Sequence, residues 1–322
     1  MSETFYDCWF LTGPTAVGKT GVGVALAQRI GAEIISLDSM AIYRGMDIGT
    51  AKPSRALREA VPHHLIDIVD PADEFSVAQY VEAAAHAVAE IRSRGRQPLF
   101  VGGTPLYLKS LLRGLFEGPP ADWQLRHEIE SELAQIGQNA LHERLTQVDP
   151  VAASHIHPHD TRRLIRALEV YRATGEPISH QQLQFEEGRP AEECRVFVLR
   201  RPRAELHQRI EARVEAMVRS GLVDEVRGLV AGGHDLGRTA RQAVGYREAL
   251  EHLAGHYDHT EMAARILYRT RRFAKRQGTW FRSLSECRFV DVPGDANTNL
   301  LADEIAQRGR DAQQPPALPG VF

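Results

Sequence analysis

At 322 residues, 43% hydrophobic and 25% charged, the chain has an ordinary globular composition and is long enough for one large domain or two modest ones. A net charge of −3 excludes a protein that coats nucleic acid indiscriminately, so a polyanion site must come from local clustering of Arg and Lys. Cys8, Cys194 and Cys287 form no metal or disulfide spacing and suit a reducing cytoplasm, no apolar run reaches the roughly 18 residues of a membrane span, and the polar start MSETFYD is unlike a signal peptide.

In chain order, CWFLT (8–12) predicts a buried strand and Lys19 to Ile30 a helix. EIISLD (33–38) predicts a second strand, whereas HLIDIV (64–69) is apolar but of uncertain type. SVAQYVEAAAHAVAEIRSRG (76–95) predicts a long Ala-rich helix closed by Gly95, and PLFVGG (98–103) a third buried strand with a helix from about Pro105. Strands alternating with helices predict an α/β fold, a parallel sheet covered on both faces with right-handed crossovers. From about Asp122 to His180 the sequence is polar and helical, until CRVFVLRR (194–201) restores the strand pattern. The expectation is a helical insertion at 120–192 within a core formed by 1–119 and 193–310. Amphipathic helices are expected at about 203–220, 222–231, 246–254 and 260–283, then a strand at RFVDV (288–292) and a short terminal helix. The Pro- and Gln-rich tail, 311–322, is expected to be disordered.

Between the first strand and helix lies GPTAVGKT: Gly13, Pro14, Thr15, Ala16, Val17, Gly18, Lys19 and Thr20. It fits the phosphate-loop pattern G-x-x-x-x-G-K-[ST]. Backbone N–H groups in such a loop form a concave anion nest, reinforced by the positive end of the helix that follows. Lys19 offers a point charge to the terminal phosphates and Thr20 a hydroxyl for Mg²⁺. The loop is silent on reaction type, because hydrolases, kinases and other transferases all use it. Asp38 falls at the C-terminal end of the second strand, the edge where open parallel sheets bind ligands. There it can act as a general base, hold Mg²⁺ through water, or cap a turn through Ser39. The third strand ends in Gly102 and Gly103, then Thr104, where many phosphate-loop NTPases carry an Asp that organises Mg²⁺. That weighs against a hydrolytic motor and leaves a small-molecule kinase open.

Late in the chain, RILYRTRRFAKRQGTWFR (265–282) holds Arg265, Arg269, Arg271, Arg272, Lys275, Arg276 and Arg282 with no acid among them. Helical spacing places Arg265, Arg269, Arg272 and Arg276 on one face, with Tyr268, Phe273, Trp280 and Phe281 interleaved. This is either a phosphate-tracking face for RNA or a solvated helix paired with acids elsewhere; the pattern does not choose. RRLIRALEV (162–170) and RQAVGYR (241–247) are shorter basic stretches. HIHPHD (155–160) has metal-binding residue types, but Pro158 interrupts it and a polar loop is expected. Arg209 and Arg213, one turn apart, fit a solvent face.

Together and in this order, GPTAVGKT, DSMAIYRGMDIGTAKP, HHLIDIVDP, LFVGGTPLYLKSLLRG, DPVAASHIHPHDTRRLIRALEVY, HQRIEARVEAMVRSGLVDEV, RQAVGYRE and TRRFAKRQGTWFR resemble the tRNA dimethylallyltransferases, from about residue 10 to 283. The resemblance implies a P-loop NTPase-like sheet with a helical insertion that contacts tRNA. It implies transfer of a dimethylallyl group from dimethylallyl diphosphate to N6 of the adenosine 3′ of the anticodon, with Mg²⁺ as cofactor, by a cytoplasmic monomer. By family position Asp38 accepts the amine's proton. The loop, Lys19, Mg²⁺ near Thr20, and Arg213 stabilise the departing diphosphate, and Thr104 lies near the substrates. The family's tRNA-contacting positions map to Asp38, Ser39, Met40, Ala41, Thr104, Arg126, Arg162, Arg163, Arg166, Arg241, Gln242, Gly245, Arg247, Arg272, Lys275 and Arg276. Many relatives carry Gln where this chain has Ala41, so any base contact through that amide is made otherwise here. The alternatives are prenylation of free adenine nucleotides, a small-molecule kinase, and a non-catalytic tRNA-binding protein; the helical insertion and the basic helix favour tRNA.

Overall fold

The computed structural model describes residues 3–114, 118–119, 121–181, 188–231, 235–294 and 296–312. The tail expected to be disordered falls, from 313 onward, outside the described residues. Among the described residues six parallel strands form one sheet in the order β3-β2-β4-β1-β5-β6. They are β1 (Trp9–Thr12), β2 (Ala32–Leu37), β3 (His63–His64), β4 (Gln97–Gly102), β5 (Val196–Arg200) and β6 (Cys287–Asp291). β1 is central: Leu11 lies in register with Val101 on one side and Phe197 on the other.

The pleat divides each strand between two faces. Phe10, Ile35, Phe100 and Val198 pack with Tyr80, Val88 and Ile91 of α3 (Val77–Ser93) and Leu108 of α4 (Pro105–Arg113). Trp9, Leu11, Ile34, Leu99 and Phe197 pack on the opposite face with Val22 and Leu26 of α1 (Lys19–Ile30) and Ile305 of α14 (Thr298–Asp311). Because both faces are covered, β1 and β2 are buried along their whole length, and these strands read as unbroken apolar runs. HLIDIV gives no strand of its own length. β3 ends at His64, and Leu65 and Asp67 both take a left-handed φ of 59°, which a strand cannot continue through. Lys52 and Arg58 hold Asp67 in that bend. Arg58 lies on α2 (Arg55–Ala60), a short helix capped by Ser54 that the residue pattern does not announce.

A layer of helices follows β5: α9 (Arg203–Arg219), α10 (Leu222–Val230), α11 (Arg238–Arg241), α12 (Tyr246–Leu253) and α13 (His259–Arg282). They enclose Ile42, Tyr43 and Met46 of the segment after β2 together with Ile210, Tyr246 and Ile266.

The chain divides into two compact units, Met1–Leu112 with Gly188–Phe322, and Arg113–Glu187. The second boundary falls before the expected 192 because the turn at Ala191–Glu193 packs against β6 and Arg189 stacks over Tyr6; the first falls at 112/113 rather than the expected 120. The second unit holds α5 (Trp123–Val148), α6 (Pro150–His155), α7 (Thr161–Thr174) and α8 (Ile178–Gln181). Its own core is built on Ile129, Leu141, Leu145, Leu164 and Leu168. Asp122, Asp149 and Asp160 cap the starts of α5, α6 and α7, and Gly137 breaks α5 with φ 81° and ψ 168°.

Candidate active site

The C-terminal ends of four strands deliver the candidate chemistry to one edge of the sheet. β1 leads into the phosphate loop, β2 into Asp38, β4 into Gly103 and Thr104, and β5 into Arg201. Gly13 must be glycine: its φ is 137°, and a Cβ there would lie 2.5 Å from the Leu199 carbonyl oxygen. Ala16 (φ 64°) and Gly18 (φ 111°) have left-handed φ on either side of Val17, which does not, an alternation of the kind that curls successive N–H groups into a concave nest. The backbone groups that flank the nest are claimed from outside. Gln277 Oε1 accepts from Thr15 N–H at 2.9 Å, Arg209 Nε donates to Ala16 O at 2.8 Å, and Arg201 Nε donates to Val17 O at 3.0 Å.

Lys19 Nζ donates to Gly13 O and Pro14 O, each at 2.9 Å. Part of its side chain is accessible from the cleft, yet protein surrounds the ammonium. That burial, with Arg213 adding repulsion, pushes Lys19 down to about 7, while Asp38 pulls the other way. Burial also pushes the Arg213 guanidinium down, again opposed by Asp38. Arg213 Nη2 donates to Thr50 O at 3.3 Å. The Asp38 Oδ1 atom accepts from Met40 N–H at 2.9 Å and Ala41 N–H at 3.4 Å. Asp38 thus does cap a turn, but with one oxygen; no hydrogen bond among the described residues engages Oδ2, and the side chain lines the cleft. Thr104 Oγ1 accepts from Ser39 N–H at 3.0 Å and donates to Ser39 Oγ at 3.4 Å, tying the β4 and β2 ends together.

Lys19, Asp38, Arg201, Arg209, Arg213 and Gln277 line one cleft of about 740 Å³, within the range of small-molecule sites, whereas Thr104 is not among its described lining residues. Asp38 is its one carboxylate among the described lining residues, against Lys19, Lys52, Arg201, Arg209 and Arg213. Ile34, Ala41, Ile66, Val101 and Phe273 supply apolar wall. Thr20 is exposed at the start of α1 and lines the same cleft. Lys52 is committed elsewhere, its ammonium donating to Tyr43 O at 2.6 Å and to Asp47 and Asp67.

The residues assigned to RNA by resemblance fall into two groups. Arg126 makes two 3.0 Å bonds to Glu169, and Arg166 pairs with the same carboxylate at 2.8 Å. Glu169 is fully buried; burial alone would raise its carboxyl, but the bonds from the two guanidinium groups outweigh it and hold the group below the usual carboxylate value. Arg163 pairs with Asp160, Arg241 with Asp235 and Arg247 with Glu251, while Gly245 N–H is capped by Glu248. Arg162 and Gln242 are exposed on the surface. On α13 the basic face is partly spoken for: Arg265 pairs with Glu261, Arg269 with the fully buried Glu248, and Arg271 with Glu211. Arg272, Lys275 and Arg276 are exposed, and no ion pair engages them among the described residues. Exposed Tyr268 and Phe273 stack under Arg272 and Arg276. The histidines of HIHPHD are exposed, and among the described residues no group of three His, Cys, Asp or Glu could hold a metal.

Three contributors to the site were not singled out from sequence. Arg209 reads as a solvent-face residue, yet it lies against the loop, and a Cβ on Gly18 would sit 3.9 Å from its Nη2. Its spacing four residues before Arg213 was the available signal, since both share one helical face. Arg201 and Gln277 carry no such signal; their partners are loop backbone atoms far away in sequence.

A family model described as IPP transferase matches residues 41–284, and one described as isopentenyl transferase matches residues 6–67. The chain is 53% identical over 296 residues to the tRNA dimethylallyltransferase of Rhodopirellula baltica, covering 89% of each chain. It is 47% identical over 288 residues to that of Geobacter metallireducens, covering 89% of this chain and 93% of the relative. Among solved structures it resembles the full-length tRNA isopentenylpyrophosphate transferase of Bacillus halodurans, at 39% identity, TM-score 0.67, and coverage of 95% and 97%. It also resembles a eukaryotic dimethylallyltransferase acting on tRNA, at 26% identity, TM-score 0.71, and coverage of 88% and 73%. The phosphate loop, the parallel sheet that carries it and these similarities agree: the chain belongs to the tRNA dimethylallyltransferase family.

Proposed function

We propose that this protein transfers the dimethylallyl group of dimethylallyl diphosphate to N6 of the adenosine 3′ of the anticodon in tRNA, releasing diphosphate. The observation that carries this reading is the composition of the cleft: among its described lining residues an anion nest, the cations Lys19, Arg209 and Arg213, one carboxylate, Asp38, close enough to act on Lys19 and Arg213, and apolar side chains. The diphosphate is read into the loop, where Lys19 can exchange its two carbonyl partners for phosphate oxygens. An incoming anion favours the protonated lysine, so binding restores the charge that burial suppresses. The five-carbon tail lies along the apolar wall. As the N6 nitrogen forms its bond to C1 of the allyl group, the C1–O bond breaks and the amine's proton passes to Asp38. Negative charge then grows on the diphosphate, where Lys19, Arg209 and Arg213 are already placed; fixed donors of this kind are each worth about 10²–10³ in rate.

Thr20 lines the cleft with its hydroxyl-bearing side chain, and among the described residues no cluster of metal-ligating side chains stands beside it, a donor set suited to Mg²⁺, which takes few protein ligands and keeps its waters and substrate phosphates. Mg²⁺ held there would neutralise part of the charge on the leaving diphosphate. The adenosine must leave its stack to reach the cleft, at a cost of a few kcal/mol. Phosphate contacts from Arg272, Lys275 and Arg276 offset that cost. The test is to incubate the protein with dimethylallyl diphosphate labelled in its allyl group, Mg²⁺ and bulk tRNA. Label is expected in RNA, at adenosine. Transfer of the γ-phosphate of ATP to an acceptor, with no label in RNA, would select the kinase alternative.

A further inference from the structure

Gln277 sits on the buried side of α13, 4% exposed, one residue after Arg276 and two after Lys275, which face solvent. Its amide is used at both ends. Oε1 accepts from Thr15 N–H of the phosphate loop at 2.9 Å, and Nε2 donates to Gly103 O, at the end of β4, at 2.5 Å. The fit is close on every side: a Cβ on Gly103 would lie 2.8 Å from Gln277 Nε2 and 3.2 Å from both Gly13 O and Lys19 Nζ. Among side chains of this length only an amide donates and accepts at once without carrying charge. A carboxylate here would face the Gly103 carbonyl with no proton to give, and an ammonium or guanidinium could not accept from Thr15.

The loop needs such a brace. Ala16 has a left-handed φ of 64°, a conformation costly for a residue with a Cβ and kept only where its surroundings over-determine it. Arg209 and Arg201 hold the carbonyls of Ala16 and Val17 on the C-terminal side of the strained residue. On its N-terminal side, Gln277 holds the N–H of Thr15. That bond also commits Thr15 N–H to Gln277.

We propose that Gln277 is a positioning residue: it fixes the curvature of the phosphate loop from the helix whose other face is basic, so that the nest is preformed for a diphosphate. The proposal rests on the diphosphate reading of the loop. The full-length Gln277→Met variant removes both hydrogen bonds at similar volume. Gln277→Asn keeps the amide but is one methylene too short to span Thr15 and Gly103, and it carries the test should Gln277→Met not fold. Inorganic pyrophosphate with Mg²⁺ is the probe, its Kd read by calorimetry, alongside tRNA Kd by filter binding and amide hydrogen exchange of residues 13–18.

The expected result is faster exchange at Thr15, pyrophosphate binding weaker by about tenfold, and tRNA Kd within about twofold of wild type. In turnover, KM for the prenyl donor rises while KM for tRNA stays. Pyrophosphate affinity unchanged despite faster loop exchange would overturn the proposal, and so would a parallel loss of tRNA affinity, which marks a merely structural residue. Wild-type protein that fails to bind pyrophosphate would instead sink the diphosphate reading. The exchange measurement then still decides whether Gln277 holds the loop: unchanged Thr15 exchange in the variants overturns that role by itself.

Discussion

Lys19 and Asp38 line the same cleft and act on one another electrostatically, and their environments make different predictions. Lys19 sits at about 7 because it is buried and faces Arg213. Between that value and the ordinary lysine value of 10.5 the unfolded chain holds a proton that the folded chain lacks, so stability from this group rises with pH through that window. Anion binding runs the other way, since it favours the charged ammonium. At pH 8, pyrophosphate binding should therefore take up protons at Lys19, read as a dependence of the calorimetric heat on the buffer's ionisation enthalpy. Lys19→Met should remove that component and weaken binding; an unchanged proton balance would separate Lys19 from the anion. Asp38 already gives Oδ1 to Met40 and Ala41 N–H, so its turn role and its proposed role as base use different oxygens. Asp38→Asn preserves the turn acceptor and removes the base. Transfer is expected to fall by roughly 10²–10⁴ with tRNA Kd within a few-fold. Equal loss of binding and turnover would assign Asp38 to the turn alone.

At the level of the element, α13 divides its arginines between two tasks. Arg269 lies against Glu248, whose carboxylate is fully buried and caps Gly245 N–H. Arg269→Met should cost on the order of 2 kcal/mol in chemical denaturation, less than a wholly buried pair because the arginine is itself about a third exposed. Arg272, Lys275 and Arg276 carry no such duty. Replacing all three by Gln should leave stability nearly unchanged and flatten the salt dependence of tRNA binding, by about 0.7–0.9 in log–log slope per phosphate left unneutralised. A slope equal to wild type would move the RNA surface off this helix.

At the level of the whole molecule, each compact unit has a core of its own, and every described residue lining the 740 Å³ cleft belongs to the unit that contains the sheet. Damage confined to the helical unit should therefore spare the anion site. Glu169→Ala strands Arg126 and Arg166 without their shared carboxylate, and is expected to destabilise the helical unit by about 3 kcal/mol. Pyrophosphate affinity should stay within twofold of wild type. A tenfold loss would mean that the phosphate loop depends on the integrity of the helical unit.

The sheet strands and long helices were legible in the chain because burial on both faces writes continuous apolar runs, and a solvent-facing helix writes a 3.6-residue period. The phosphate loop was legible because Gly13, Gly18, Lys19 and Thr20 sit within one eight-residue span: positive φ calls for the two glycines, and phosphate chemistry for the ammonium and hydroxyl. HLIDIV was ambiguous, because Leu65 and Asp67 take left-handed backbone, and the contacts that hold Asp67 there come from Lys52, Arg58 and the Ala41 carbonyl, outside the run itself. The chain alone also left the late basic helix undivided: Glu248, which claims Arg269, is 21 residues away and buried. Nor did it disclose that Gln277 and Arg209 brace a loop some 190 to 260 residues earlier. Such contacts follow from which strand ends and helices the fold brings to one edge, and a hydrogen bond between distant residues leaves no period or spacing in the sequence.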